Sequence, residues 1–109
     1  MGRGLGKGAI KVIHAHEPIS PGEILLTEFL EPLGITQYRL AQATGLPRTG
    51  ISEIVRGKRA ISVNTALRLS KALGVDDRFW INIQTDYDLA LQRALHADAL
   101  ANVTTLVAS

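Results

Sequence analysis

The sequence predicts a compact all-α domain of five helices behind a flexible N-terminal arm. Five stretches carry apolar residues at helical spacing, most bracketed by a capping hydroxyl or carboxylate and a glycine stop. The connections between them are short, about two to five residues, and no strand-like segment has a partner to pair with.

The first twenty residues alternate small and basic side chains and end at Pro18 and Pro21, which reads as an arm; Ile10, Val12 and Ile13 are a short strand at most. Ser20 before Pro21 sets a capping hydroxyl ahead of a proline at the first helical position, with Glu23 in the first turn where negative charge meets the positive helix end. Ile24, Leu25, Phe29 and Leu33 recur on this first helix; Pro32 limits its regular part to about the residue before it, and Gly34 closes it. Thr36 caps the second helix, whose apolar positions are Leu40, Ala41 and Tyr38, and Gly45 stops it. Pro47 opens the third, with Ile51, Ile54 and Val55 on one face and Gly57 as its stop. Ser62 caps the fourth, which carries Ala66, Leu67, Leu69 and Leu73 before Gly74. Asp76 or Asp77 caps a longer fifth with Phe79, Trp80, Ile83, Tyr87, Ala90, Leu91 and Ala94, expected to fray after Ala97. The organisation is thus an arm over 1–19, a helical domain over 20–97, and a tail or frayed helix over 98–109.

The 109 residues support one domain and exclude a large multi-domain enzyme. Without cysteine there is no disulfide framework, thiolate metal site or thiol nucleophile, and no apolar run approaches the roughly 18 residues of a membrane helix, so a soluble, cytoplasmic protein is expected. The formal net charge of +2 conceals an uneven distribution. Residues 1–35 carry net −1 and residues 72–109 net −3, whereas residues 36–71 hold seven Lys and Arg against Glu53 alone, net +6. A basic middle between acidic ends is what a polyanion-binding surface requires.

Within that middle, the second and third helices are short and joined through Gly45, the pattern of a helix-turn-helix. Ala41 is small enough for the helices to approach, Gly45 tolerates a left-handed backbone, and Leu40, Leu46, Ile51 and Ile54 fill the shared core, while Thr44 departs from the commoner apolar residue. The outward residues of the third helix are Arg48, Thr49 and Ser52, with Glu53 a step further; each can hydrogen-bond a base edge, and the Arg48 fork suits the two acceptors of guanine. Gly50 costs a helix roughly 1 kcal/mol against alanine, and is either a close-approach point for DNA or simply tolerated. For phosphate, Gln37 opens the second helix, and Arg56, Lys58 and Arg59 form a basic turn where a duplex backbone would pass.

The stretch from Pro21 to Leu89, about two-thirds of the chain, resembles the HigA group of antitoxins within the lambda-repressor-like (XRE) helix-turn-helix family. Its most specific pieces are PGEIL at 21–25, ISEIVRGKRAIS at 51–62 and FWINIQ at 79–84. The resemblance implies a five-helix lambda-repressor-like domain. It also implies a homodimer that binds operator DNA through the third helix, represses its own operon, and neutralises an mRNA-cleaving ribonuclease toxin encoded alongside. Ser20 stands where many members have histidine, and Gly50 where a longer side chain is common in the recognition helix.

Competing chemistry is thinner. Phe79, Ile83 and Tyr87 share a helical face and read as core, with Trp80 available to build a dimer surface. His14, His16 and Glu17 would form an H-x-H-E chelate, but further ligands are missing from the arm, so neither metal nor cofactor is expected. The three histidines lie towards the chain ends, away from Ser52, and no catalytic triad or His pair can be assembled, so the protein is not expected to be an enzyme. The alternative function is a stand-alone helix-turn-helix regulator without a toxin, and a third is an interaction module that has lost DNA binding, against which the retained Gln37, Arg48, Arg56, Lys58 and Arg59 argue.

Overall fold

The computed structural model describes residues 18–108, and all regular structure among them is helical. The first helical run, α1, is made of Pro21–Ile24, Leu25–Leu30 and Glu31–Leu33. It is followed by α2 (Gln37–Thr44), α3 (Arg48–Val55), α4 (Val63–Leu73), α5 (Phe79–Leu95) and a short α6 (Ala97–Ala101). The expected arm strand and the H-x-H-E cluster lie outside the described residues.

The α1 run begins as expected, with Ser20 Oγ accepting from the Glu23 N–H at 3.2 Å. It then differs. Rather than ending before Pro32, the helix runs through it to Gly34, because Leu25–Leu30 adopts the wider π register, the Glu31 N–H reaching back to Leu26 O. A widened turn accommodates a pyrrolidine ring that would clash in a regular α-helix interior. The extra residue also turns the buried face: Leu25 and Leu30, five apart, are both buried, while Leu33 is 62% exposed.

The core comprises Leu25, Leu30, Leu40, Ala41, Ile51, Ile54, Ile61, Ala66, Leu69 and Trp80. Trp80 is fully buried and therefore does not build a dimer surface. Its ring meets Phe29 at 5.2 Å and Phe79 at 5.0 Å between centroids, and Phe29 meets Phe79 edge-on at 5.7 Å, so three aromatics fasten α1 to α5. Phe79 and Ile83 are half-buried against this core, whereas Tyr87, expected with them, is half-buried beside Pro18 and Ile19 and does not pack on it, and Leu67 on α4 faces solvent.

The cap of α5 is neither Asp76 nor Asp77 but Arg78, without a side-chain bond. Asp76 instead organises the preceding turn, Oδ1 accepting from the Arg78 N–H at 2.8 Å and its carbonyl from the Phe79 N–H at 3.0 Å. At the far end α5 breaks at His96, then resumes as α6; Ala90, Leu91 and Ala94 lie on an exposed stretch.

Candidate nucleic-acid interface

The two helices of the motif are set by local polar chemistry. Thr36 Oγ1 accepts from the Arg39 N–H at 3.0 Å and starts α2. Gly45 ends it at φ +76°, its N–H bonded to Ala41 O at 2.9 Å. Thr44, the residue that departs from an apolar pattern, is buried with its hydroxyl fully used: it donates to Leu40 O at 2.7 Å and accepts from the Leu46 N–H at 3.2 Å. The buried polar group is satisfied inside the turn and so carries little desolvation penalty. Arg68 on α4 completes the clamp, Nη1 donating to Thr44 O at 2.7 Å.

On α3, Ile51 and Ile54 point into the core, leaving Arg48 and Thr49 exposed and Ser52 and Glu53 half-buried on the other side. These four therefore share one outward edge. Gly50 is helical, and a methyl group added at its Cα would meet nothing within 4 Å, so no packing demand accounts for the missing side chain.

The basic turn after α3 is tightly bonded. Arg56 N–H donates to Ser52 O at 3.0 Å, Gly57 N–H to Ile54 O at 3.0 Å, and Lys58 N–H to Glu53 O at 2.8 Å. Gly57 takes φ +74°, a left-handed conformation that costs a side-chain-bearing residue energy. The far end of the turn is anchored by Gln84, whose Oε1 accepts from the Ile61 N–H at 2.8 Å while its Nε2 donates to Asp88 Oδ1 at 3.0 Å. Arg56 and Lys58 are exposed beside α3, and Gln37 is half-buried at the start of α2.

Two of the expected DNA-facing groups meet each other. Arg59 donates through Nε at 2.7 Å to Glu53 Oε1 and lies 2.6 Å from the same oxygen through Nη2. The Glu53 carboxylate is thus held by an arginine rather than presented alone, and the pair bridges α3 and its basic turn.

Three contributors escape a sequence reading. Tyr38 is not core but 52% exposed, with the Arg48 guanidinium over its ring at 5.8 Å and Gln42 Nε2 donating to its phenol oxygen at 3.0 Å. The signal was present: Tyr38 lies two residues before buried Leu40, about 200° around a helix of 3.6 residues per turn. Gly22 lets α1 touch the backbone of α3, as an added Cβ would lie 1.7 Å from Ile54 O. Arg68 has no local sequence signal, since its partner is 24 residues away.

Comparison with known proteins matches residues 26–80 to a family described as helix-turn-helix. Virulence-associated protein I of Dichelobacter nodosus is 43% identical over 86 residues, covering 79% of this chain and 74% of that one. Antitoxin HigA-1 of Vibrio cholerae is 44% identical over 72 residues, covering 66% and 68%. Among solved structures, the Pseudomonas aeruginosa antitoxin HigA with higBA promoter superposes with a TM-score of 0.78 at 35% identity, over 84% of this chain and all of that one (100%).

Proposed function

The chain belongs to the helix-turn-helix family and, within it, to the HigA antitoxins, and from that premise we propose that it is an operator-binding autorepressor and the antitoxin of a ribonuclease toxin. The observation that carries the DNA reading is the outward edge of α3, with Arg48, Thr49 and Ser52 side by side and the basic turn beside them. Acting as a homodimer on a palindromic site, the protein sets two α3 helices into successive major grooves about 34 Å apart. Arg48, Thr49 and Ser52 read bases; Glu53 reaches one only by releasing Arg59. Gln37 meets a phosphate together with the unbonded N–H groups at the start of α2, and Arg56, Lys58 and Arg59 hold phosphates on either side of the groove. Such a protein works in the cytoplasm, on the nucleoid. Among the described residues no helix is long and apolar enough to cross a membrane.

Duplexes selected from a randomised pool, titrated by fluorescence anisotropy at several salt concentrations, test this reading. Six cation contacts per dimer give a log–log salt slope of about −5. Lys58→Ala weakens all sequences and removes about two units of that slope per dimer, whereas Arg48→Ala relaxes preference at one base pair of each half-site. Affinity indifferent to salt would overturn DNA binding; an unchanged preferred sequence and affinity in Arg48→Ala would overturn the base-reading assignment. Co-purification of a small ribonuclease tests the antitoxin role, and its failure to bind leaves a stand-alone repressor.

A further inference from the structure

We infer that Tyr38 is a specificity-determining positioning residue, its ring holding the Arg48 guanidinium in the orientation from which it reads a base. The inference rests on Arg48 being a base reader. Arg48 opens α3 on the exposed side, where a long side chain is otherwise free to rotate among many conformers. Among the described residues it makes no side-chain hydrogen bond or ion pair, so the Tyr38 face, 5.8 Å from its Cζ, is what orients it. That separation lies within the roughly 6 Å over which an aromatic face attracts a cation.

Tyr38 can serve as a shelf because it is itself held. It stands in the first turn of α2, a rigid element capped by Thr36, and Gln42 one turn later donates to its phenol oxygen at 3.0 Å. Tyrosine has only two rotatable side-chain bonds, and this contact holds the phenol oxygen in place and with it the direction in which the ring projects. The fork of an arginine recognises O6 and N7 of guanine only when it is presented edge-on to both, and a guanidinium drawn to an aromatic face samples fewer side-chain conformers before DNA arrives. The ring is half exposed, so its placement owes little to core packing. Its effect on DNA therefore falls on one contact, rather than on the phosphate contacts made by Gln37 next to it or by the turn beyond α3.

The test uses the full-length protein and duplexes selected by the wild type, each compared with the same duplex altered one base pair at a time. Arg48→Ala first identifies the base pair that Arg48 reads. At that base pair Tyr38→Leu lowers discrimination about two- to fivefold, the strength of an exposed cation–ring contact, with other positions and the salt slope unchanged. Tyr38→Phe, which keeps the ring but loses the bond from Gln42, keeps more of the discrimination than Tyr38→Leu. In an Arg48→Ala background, Tyr38→Leu has no further effect. Because Trp80 is fully buried, its fluorescence reports whether each variant is folded. Full discrimination in Tyr38→Leu, or an equal loss at every base pair, overturns the positioning role while leaving Arg48 as a reader. No loss of discrimination in Arg48→Ala overturns both.

Discussion

The same substitution, glycine to alanine, has opposite signs at two positions 28 residues apart, Gly22 and Gly50. At Gly22 a Cβ would fall 1.7 Å from Ile54 O, 2.6 Å from Ile54 C and 2.9 Å from Val55 Cα. A carbon needs about 3.3 Å from a carbonyl oxygen, so α1 and α3 must part by roughly 1.5 Å. No flexible side chain is in the way; all three atoms are backbone, and they cannot rotate aside. Overpacking a well-filled interior costs about 1–3 kcal/mol and occasionally more, and the rigid obstruction puts Gly22→Ala at the upper end, about 3 kcal/mol. For a domain of this size that lowers Tm by roughly 12–24 °C. At Gly50 nothing lies within 4 Å and the backbone is helical, so alanine raises stability by about 0.5–1 kcal/mol through lower unfolded-state entropy and better helix propensity. Urea titrations followed by Trp80, the sole tryptophan and fully buried, measure both. Midpoints moving in opposite directions at equal slope are the expected result. If Gly22→Ala unfolds within about 0.5 kcal/mol of wild type, the noise of a surface change, the close approach of α1 to α3 is wrong.

Two further substitutions probe what holds the basic turn. Gln84→Leu leaves the buried Ile61 N–H without its acceptor and costs about 1–3 kcal/mol, read as a lower urea midpoint together with weaker binding to every duplex; an unchanged midpoint would show that water or another group takes over. Glu53→Gln releases Arg59 from its exposed pair, changes stability by less than about 1 kcal/mol, and strengthens binding to any duplex most at low salt. A new base preference without a general gain would mark Glu53 as a base reader instead.

Much of the domain was legible because its boundaries are written in local chemistry. Ser20, Thr36 and Ser62 each accept from a backbone N–H three residues on, and Gly34, Gly45 and Gly74 each end a helix in the left-handed region. The outward edge of α3 was legible for a similar reason, since Ile51 and Ile54 fix the inner face by spacing alone. What was not legible depends on a change of register or on distance in sequence. One added residue in the π stretch moves burial from Leu33 to Leu30, and periodicity assumes a constant 3.6 residues per turn. Trp80 sits beside Phe79, so either residue of the pair satisfies an amphipathic pattern, and only the tertiary packing puts Trp80 at the centre with Phe79 half-buried beside it. The Glu53 and Arg59 side chains meet only because the turn folds back around Gly57.

The orientation of α3 is set mainly through backbone groups of its surroundings. Arg68 holds the carbonyl of Thr44 just before the turn, the Thr44 hydroxyl holds the N–H of Leu46 just after it, and Gly22 lets α1 rest directly on the carbonyl of Ile54. Gln84 then fixes the N–H of Ile61 where the basic turn rejoins α4. Backbone contacts of this kind constrain position and leave the outward side chains unencumbered. The edge that carries Arg48, Thr49 and Ser52 is consequently open to change in sequence without disturbing the fold, whereas Gly22, Thr44 and Gln84 are not. The residues proposed to read DNA and those that hold the fold are thus different residues of the same two helices and their neighbours. Tyr38 is the position where they meet: it stands on the rigid second helix, outside the core, with its ring 5.8 Å from the guanidinium of Arg48, the proposed base reader.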